Sequence, residues 1–280
     1  MRTILIVGIL AFLSDQVSQP LQAGMVTFLK SRDHTEWGHN GNQYQMDNIF
    51  GAGEWTDARI ETVNPTALFS SSNDFIFLEM GERGWNEGVG FIQLHQAEME
   101  NWVAAGGRLL INGAGEEAPI PANLGFGVTA VSSSGDDASV ASDPLHPIFL
   151  GPSTPVGTSW DGGSFRHEAL AGPVTPIIQD ADGNMVLGER SFGLGHVVFG
   201  TLTLPSFSDD GIGAGGWGPS PEIVNLHENI IRHAAAEGVS AIPEPSSLAL
   251  FAIGAGVAAM GTARRRRRDG CPDNRHRSPK

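Results

Sequence analysis

Residues Asp74 to Gly115 constrain this chain most, because they spell out a strand, a helix and a second strand with stops between them. Asp74 to Met80 (DFIFLEM) is almost continuously apolar and ends at Gly81, the pattern of a strand buried on both faces. Phe91 to Ala105 places Ile92, His95, Met99, Trp102 and Val103 near helical spacing, and Gly106-Gly107 stops the helix. Arg108 to Ile111 (RLLI) then runs into Asn112-Gly113-Ala114-Gly115 as the next strand. Two strands joined through a helix lie parallel, and a parallel sheet must be covered by helices. Ligands of such sheets gather at the carboxyl ends of the strands.

The other segments extend this unit. Met25 to Leu29 reads as the first strand, Gln43 to Phe50 as a short helix and Ala58 to Val63 as a second strand. Leu124 to Val131 reads as a strand and Asp143 to Ile148 as a compact turn around His146. Val174 to Gln179, Met185 to Arg190 and His196 to Leu202 alternate with glycine-containing connectors suited to hairpins. Pro221 to Ala236 closes the body as a helix, with Pro221 suited to its first turn and Glu222 to its dipole. The expected fold is α/β: a mostly parallel, flavodoxin-like sheet flanked by helices, with added β-hairpins.

The run DFIFLE, helix, AAGGRLLINGAG resembles the class I glutamine amidotransferase-like fold over residues 25 to 236. The His146-Pro147-Ile148 turn is similar to one found in several such relatives. In catalytic members the second strand leads into a Gly-x-Cys-x-Gly elbow. The corresponding stretch is Ile111-Asn112-Gly113-Ala114-Gly115, which places Gly113 where the nucleophile would stand. The resemblance therefore implies the fold without the amidotransferase chemistry.

The two ends of the chain give an address. Arg2, the apolar Ile4 to Leu13 and the small Ala23 read as a secretory signal over 1–23. The body is expected over 24–238 and a linker over 239–247, where Pro243-Glu244-Pro245 forbids helix or central strand. Uncharged residues 248–263 read as a short transmembrane helix, and Arg264, Arg265, Arg266, Arg267 and Arg268 open a basic cytoplasmic tail over 264–280. Pro-Glu-Pro, apolar helix and arginine cluster, in that order, resemble the PEP-CTERM sorting signal of Gram-negative bacteria that make exopolysaccharide. That resemblance implies an exosortase, a membrane transpeptidase, as partner, and a membrane-anchored precursor processed to a cell-surface or extracellular form. Asp269 to Lys280 continues past the arginines where the family ordinarily stops.

Charge and cysteine content agree with export. From Gly24 to Ala263 eight basic residues face 28 acidic ones, a net charge near −20 that repels nucleic acid and anionic lipid. The single cysteine, Cys271, lies beyond the arginines, so the exported part holds no disulfide, thiol nucleophile or cysteine metal ligand.

Candidate chemistry is sparse. Glu79, Glu82, Glu116 and Glu117 form two pairs at the carboxyl ends of adjacent strands, where paired carboxylates would serve as acid and base on a glycoside. Their plain competitor is a set of acidic strand ends in an acidic protein. Asp33, His34, Glu36 and His39 crowd one loop at a spacing that fits no short metal motif, and Asp180 to Asn184 reads as a hairpin turn rather than a calcium loop. His227 and His233 are six apart and do not share a helix face. No metal site and no cofactor is expected. The leading expectation is a non-catalytic exported protein that binds polysaccharide through Trp37, Trp55, Trp85, Trp160 and Trp217. A glycan hydrolase using the glutamates is the alternative, and a cation-dependent structural domain the third.

Overall fold

A computed structural model of the chain describes residues 25–32, 40–115, 121–133, 138–160, 165–207 and 220–236, with the Glu82 side chain left aside. The described residues through Ala235 form one unit built on a 12-stranded sheet. Its parallel half comprises β1 (Met25–Lys30), β2 (Thr56–Arg59), β3 (Asn73–Glu79), β4 (Arg108–Asn112) and β12 (Gly195–Gly200), in the spatial order β2-β1-β3-β4-β12. This is the 2-1-3-4-5 order of flavodoxin-like sheets, whose direction of winding reverses between β1 and β3.

The sheet is less parallel than the sequence implies. Four of its strand pairings are parallel and seven antiparallel. Beyond β12 the order runs to β11 (Met185–Phe192), β10 (Thr175–Asp180), β7 (Ser139–Ala141) and β8 (Ser159–Trp160). A side branch of β5 (Ala122–Asn123), β6 (Thr129–Ser132) and β9 (Glu168–Ala171) joins at β11. The cause is connection length. Four residues between β10 and β11 and two between β11 and β12 leave room only for hairpins.

Helices cover both faces because the central strands are apolar on both. Phe75 and Phe77 of β3, Leu110 of β4 and Val198 of β12 pack toward α1 (Gly41–Phe50) and α5 (Pro221–Ala235), through Met46, Leu226 and Ile230. Their neighbours Ile76, Leu78, Leu109, Ile111, Val197 and Phe199 pack toward α3 (Trp85–Ala104), through Phe91, Ile92, Met99 and Trp102. The alternation is the strand period of two.

Two short helices, α2 (Pro65–Leu68) and α4 (Pro147–Leu150), each start on a proline, behind Asn64 and His146 as caps. Of the stretch expected as one strand over 124–131 only the end is extended, in β6; its first part is the turn that joins β5 to β6, in which Gly125, Phe126 and Gly127 all have positive φ. Helix α3 begins six residues before the expected start and includes Gly88 and Gly90. Gly88 is buried against Met80, so the helix comes closer to the strand end than a side chain there would allow.

Candidate functional site

The carboxyl ends of the parallel strands meet in one row: Lys30 of β1 lies beside Glu79 of β3, Glu79 beside Asn112 of β4, and Asn112 beside Gly200 of β12. Glu79 thus stands at the winding reversal, where α/β sheets hold their ligands. Its carboxylate is only 1% exposed and is held from three directions. The Asn42 side chain of α1 donates to Oε2 at 3.1 Å, Asn112 Nδ2 donates to both oxygens at 3.0 and 3.3 Å, and the Gly81 N–H donates to Oε1 at 2.7 Å. Asn112 also donates to the Leu202 carbonyl at 2.9 Å and accepts from the Leu202 N–H at 3.1 Å, which ties β3, β4 and the chain after β12 together.

Gly113, which the sequence resemblance sets at an elbow nucleophile's position, has no space for a side chain. A Cβ placed there would lie 2.7 Å from the Trp85 ring and 3.0 Å from the Met80 methyl. The aromatic edge of α3 takes the volume a nucleophile would need.

A second buried carboxyl adjoins this row. Glu168 opens β9, is 3% exposed, and accepts a backbone hydrogen bond from Gly115 just beyond β4. Burial pushes its pKa up to about 8, against the pull of the Gly115 N–H and the Arg166 charge. Its Oε2 has no hydrogen-bond partner among the described residues. Arg166 is committed to Asp180 at 2.8 Å, and both are buried. Asp180 in turn accepts from the Asp182 and Asn184 N–H groups, which makes 180–184 the hairpin turn the sequence implied.

Of the glutamates singled out from sequence, Glu79 is a closed internal acceptor and Glu82 lies in a 3-10 turn over Glu82–Gly84. Glu116 and Glu117 fall outside the described residues, as do Asp33, His34, Glu36, His39 and the sorting signal Pro243, Glu244, Pro245 and Arg264 to Arg268. Among the described residues no helix is long and apolar enough to cross a membrane; residues 248–263 are not among them. The expectation of exposed tryptophans fails at Trp85 and Trp160, which are buried. Trp55 is half-buried, its ring edge-on to Phe28 and its N–H on Asp47. Trp37 and Trp217 lie outside the described residues. Asn42, Asn112 and Glu168 escaped sequence reading. Only Asn112, directly before a Gly-x-Gly at a strand end, carried a visible signal.

Residues 241–268 match the family model described as the PEP-CTERM protein-sorting motif. The chain therefore carries the motif for exosortase-dependent sorting to the cell envelope or surface. No curated protein matches the chain in sequence. Among solved structures, a cytoplasmic protein from Salmonella typhimurium LT2 is 13% identical, with 75% of this chain and 99% of that one aligned at a TM-score of 0.47. An exo-beta-1,4-mannosidase from Opitutaceae bacterium strain TAV5 is 14% identical over 77% of this chain, at a TM-score of 0.45. The chain spans only 36% of that enzyme's length. A ThuA-like protein from Bacteroides uniformis is 8% identical, with 78% and 94% aligned at a TM-score of 0.45.

Proposed function

We propose that the chain is an exported, exosortase-processed protein of the Gram-negative cell surface or extracellular matrix, and that its body binds exopolysaccharide without turning it over. Residues 248–263 hold the precursor in the inner membrane, with the arginines on the cytoplasmic side, until the exosortase cuts near Pro243-Glu244-Pro245.

The observation that carries the non-catalytic reading is the closed state of the sheet's winding reversal. A general acid or base must reach a substrate proton, but both Glu79 oxygens are taken by Asn42, Asn112 and Gly81. The adjoining elbow position is packed against Trp85. Ligand contact then falls to the segments that follow β1 and β4 and the one that precedes α5, which carry Trp37, Glu116, Glu117 and Trp217. Their indoles supply faces for sugar rings.

The test is co-sedimentation of the full chain with exopolysaccharide from the producing bacterium. Binding is expected, with loss of at least about tenfold in a Trp37→Ala/Trp217→Ala double variant, since one ring stack is worth roughly 1 kcal/mol or more. Binding that is absent, or unchanged in the double variant, would sink this reading. Glycan hydrolysis is the second reading, favoured by one observation: a buried carboxyl, Glu168, that keeps its proton near neutral pH beside the same strand ends. Reducing ends released by the wild type but not by Glu116→Gln/Glu117→Gln would favour the hydrolase instead.

A further inference from the structure

Far from the carboxyl ends, four side chains from four different elements converge. His146 Nε2 lies 3.3 Å from Glu189 Oε1, while His233 Nε2 and His196 Nε2 lie 2.6 and 3.2 Å from Glu189 Oε2. Ligand atoms of His146, Glu189 and His233 all fall within 4.8 Å of one another. We propose that His146, Glu189 and His233 form a divalent transition-metal site of the zinc type, with His196 at its side.

The donor set supports this. Two imidazoles and one carboxylate are a recurrent zinc set, completed by water or a further ligand. Zinc–nitrogen and zinc–oxygen bonds of about 2.0–2.1 Å in a tetrahedron put neighbouring ligand atoms roughly 3.3 Å apart, so the observed separations need only small rotamer adjustments. The side chains are already positioned. His146 caps α4 through Nδ1, Glu189 lies in β11 between Thr175 of β10 and Val198 of β12, His196 lies in β12, and His233 lies in the last turn of α5. Glu189 shares a sheet face with Leu187, and His196 with Val198, the face that packs on α5.

Electrostatics act in the same direction. The site adjoins the negative end of the α5 dipole in a strongly acidic body. Nearby guanidiniums are engaged elsewhere: Arg108 donates to the Ala235 carbonyl, Arg232 to Glu228 and Arg190 to the Phe126 carbonyl. The side chains of all four residues stay partly open to water, at 8 to 23% exposure, so an ion can enter.

Without metal the same groups make a hydrogen-bond network. The Ile148 N–H donates to His146 Nδ1 at 3.3 Å, which puts the ring proton on Nε2, facing Glu189. Coordination through Nε2 moves that proton to Nδ1, so the metal replaces this long cap bond together with the hydrogen bonds that His146 and His233 make to Glu189.

The experiment is a zinc chloride titration of the chelator-stripped full chain by calorimetry and thermal melting. About one zinc per chain is expected, with Tm raised by several degrees at a hundredfold excess over Kd. Glu189→Gln and His233→Gln should each weaken uptake at least about a hundredfold, more than loss of an outer-shell partner does. His146→Asn keeps a cap for the Ile148 N–H and removes only the imidazole, so its loss of uptake cannot be ascribed to unfolding. No zinc uptake by the wild type overturns the proposal, as does uptake unchanged in His146→Asn. Uptake abolished instead by a His34→Gln/His39→Gln double variant places the metal elsewhere and equally overturns it.

Discussion

Glu168 sets a pH dependence that the acidic composition alone would not suggest. Its pKa rises on folding from 4.5 to about 8, so the folded state binds this proton more tightly than the unfolded chain does. The stability tied to Glu168 is therefore fully present below about pH 4.5 and is lost as pH rises through about 8. Glu168→Gln carries a permanently neutral group of the same shape. Compared with wild type in thermal melts, it should gain little at pH 4.5 and several degrees at pH 9, on the order of a few kcal/mol. An equal offset at both values would mean that the carboxyl is ionised throughout. Gly113 makes the opposite point about legibility. The glycine itself was plain in the sequence, but its reason was not, because the Trp85 ring that fills the space belongs to the start of a helix 28 residues earlier. Gly113→Cys should therefore cost roughly 1–3 kcal/mol in urea unfolding through overpacking, and the new thiol should confer no amidase activity.

At the level of elements, the strand–helix–strand core could be read from sequence because its signals are local. β3 and β4 follow from unbroken apolar runs, and α3 from its spacing over 91–105. The start of α3 could not be read, since Gly88 and Gly90 look like loop residues until Met80 is seen to require one of them. The antiparallel half was legible as hairpins but not as a branch, because the pairing of β6 with β9 joins residues about 40 apart with no local mark. Asn112 is a joint within the parallel half. It holds Glu79 of β3 on one side and the Leu202 backbone beyond β12 on the other. Asn112→Ala would leave a buried carboxylate short of a donor and both Leu202 backbone groups short of a partner. It should lower unfolding free energy by roughly 2–4 kcal/mol in denaturant titration, more than a cavity of this size alone would cost. Asn112→Asp should be no better, since it sets a second carboxylate against Glu79.

For the whole molecule, the charge distribution turns the sorting motif at 241–268 into a measurable event. The full chain carries −14, yet residues from Arg264 onward hold eight of its 17 basic side chains and only two of its 31 acidic ones. Removing that end strips six net positive charges, while removing 1–23 takes one basic and one acidic residue and changes nothing. Processing near Pro243-Glu244-Pro245 should therefore give an exported form near −20 that lacks Cys271. It would elute later from an anion exchanger than the precursor, with an intact mass ending in or near that triplet. Pro243→Ala/Pro245→Ala should let the backbone at the triplet turn helical or extended, and the precursor should then accumulate in the membrane fraction at its original charge. Deleting only Arg264 to Arg268 tests the proposed cytoplasmic stop by itself, because the apolar segment remains. If the exported species kept Cys271 and the arginine run in the wild type, the motif would be an anchor alone, and the body would act from the membrane rather than beyond it.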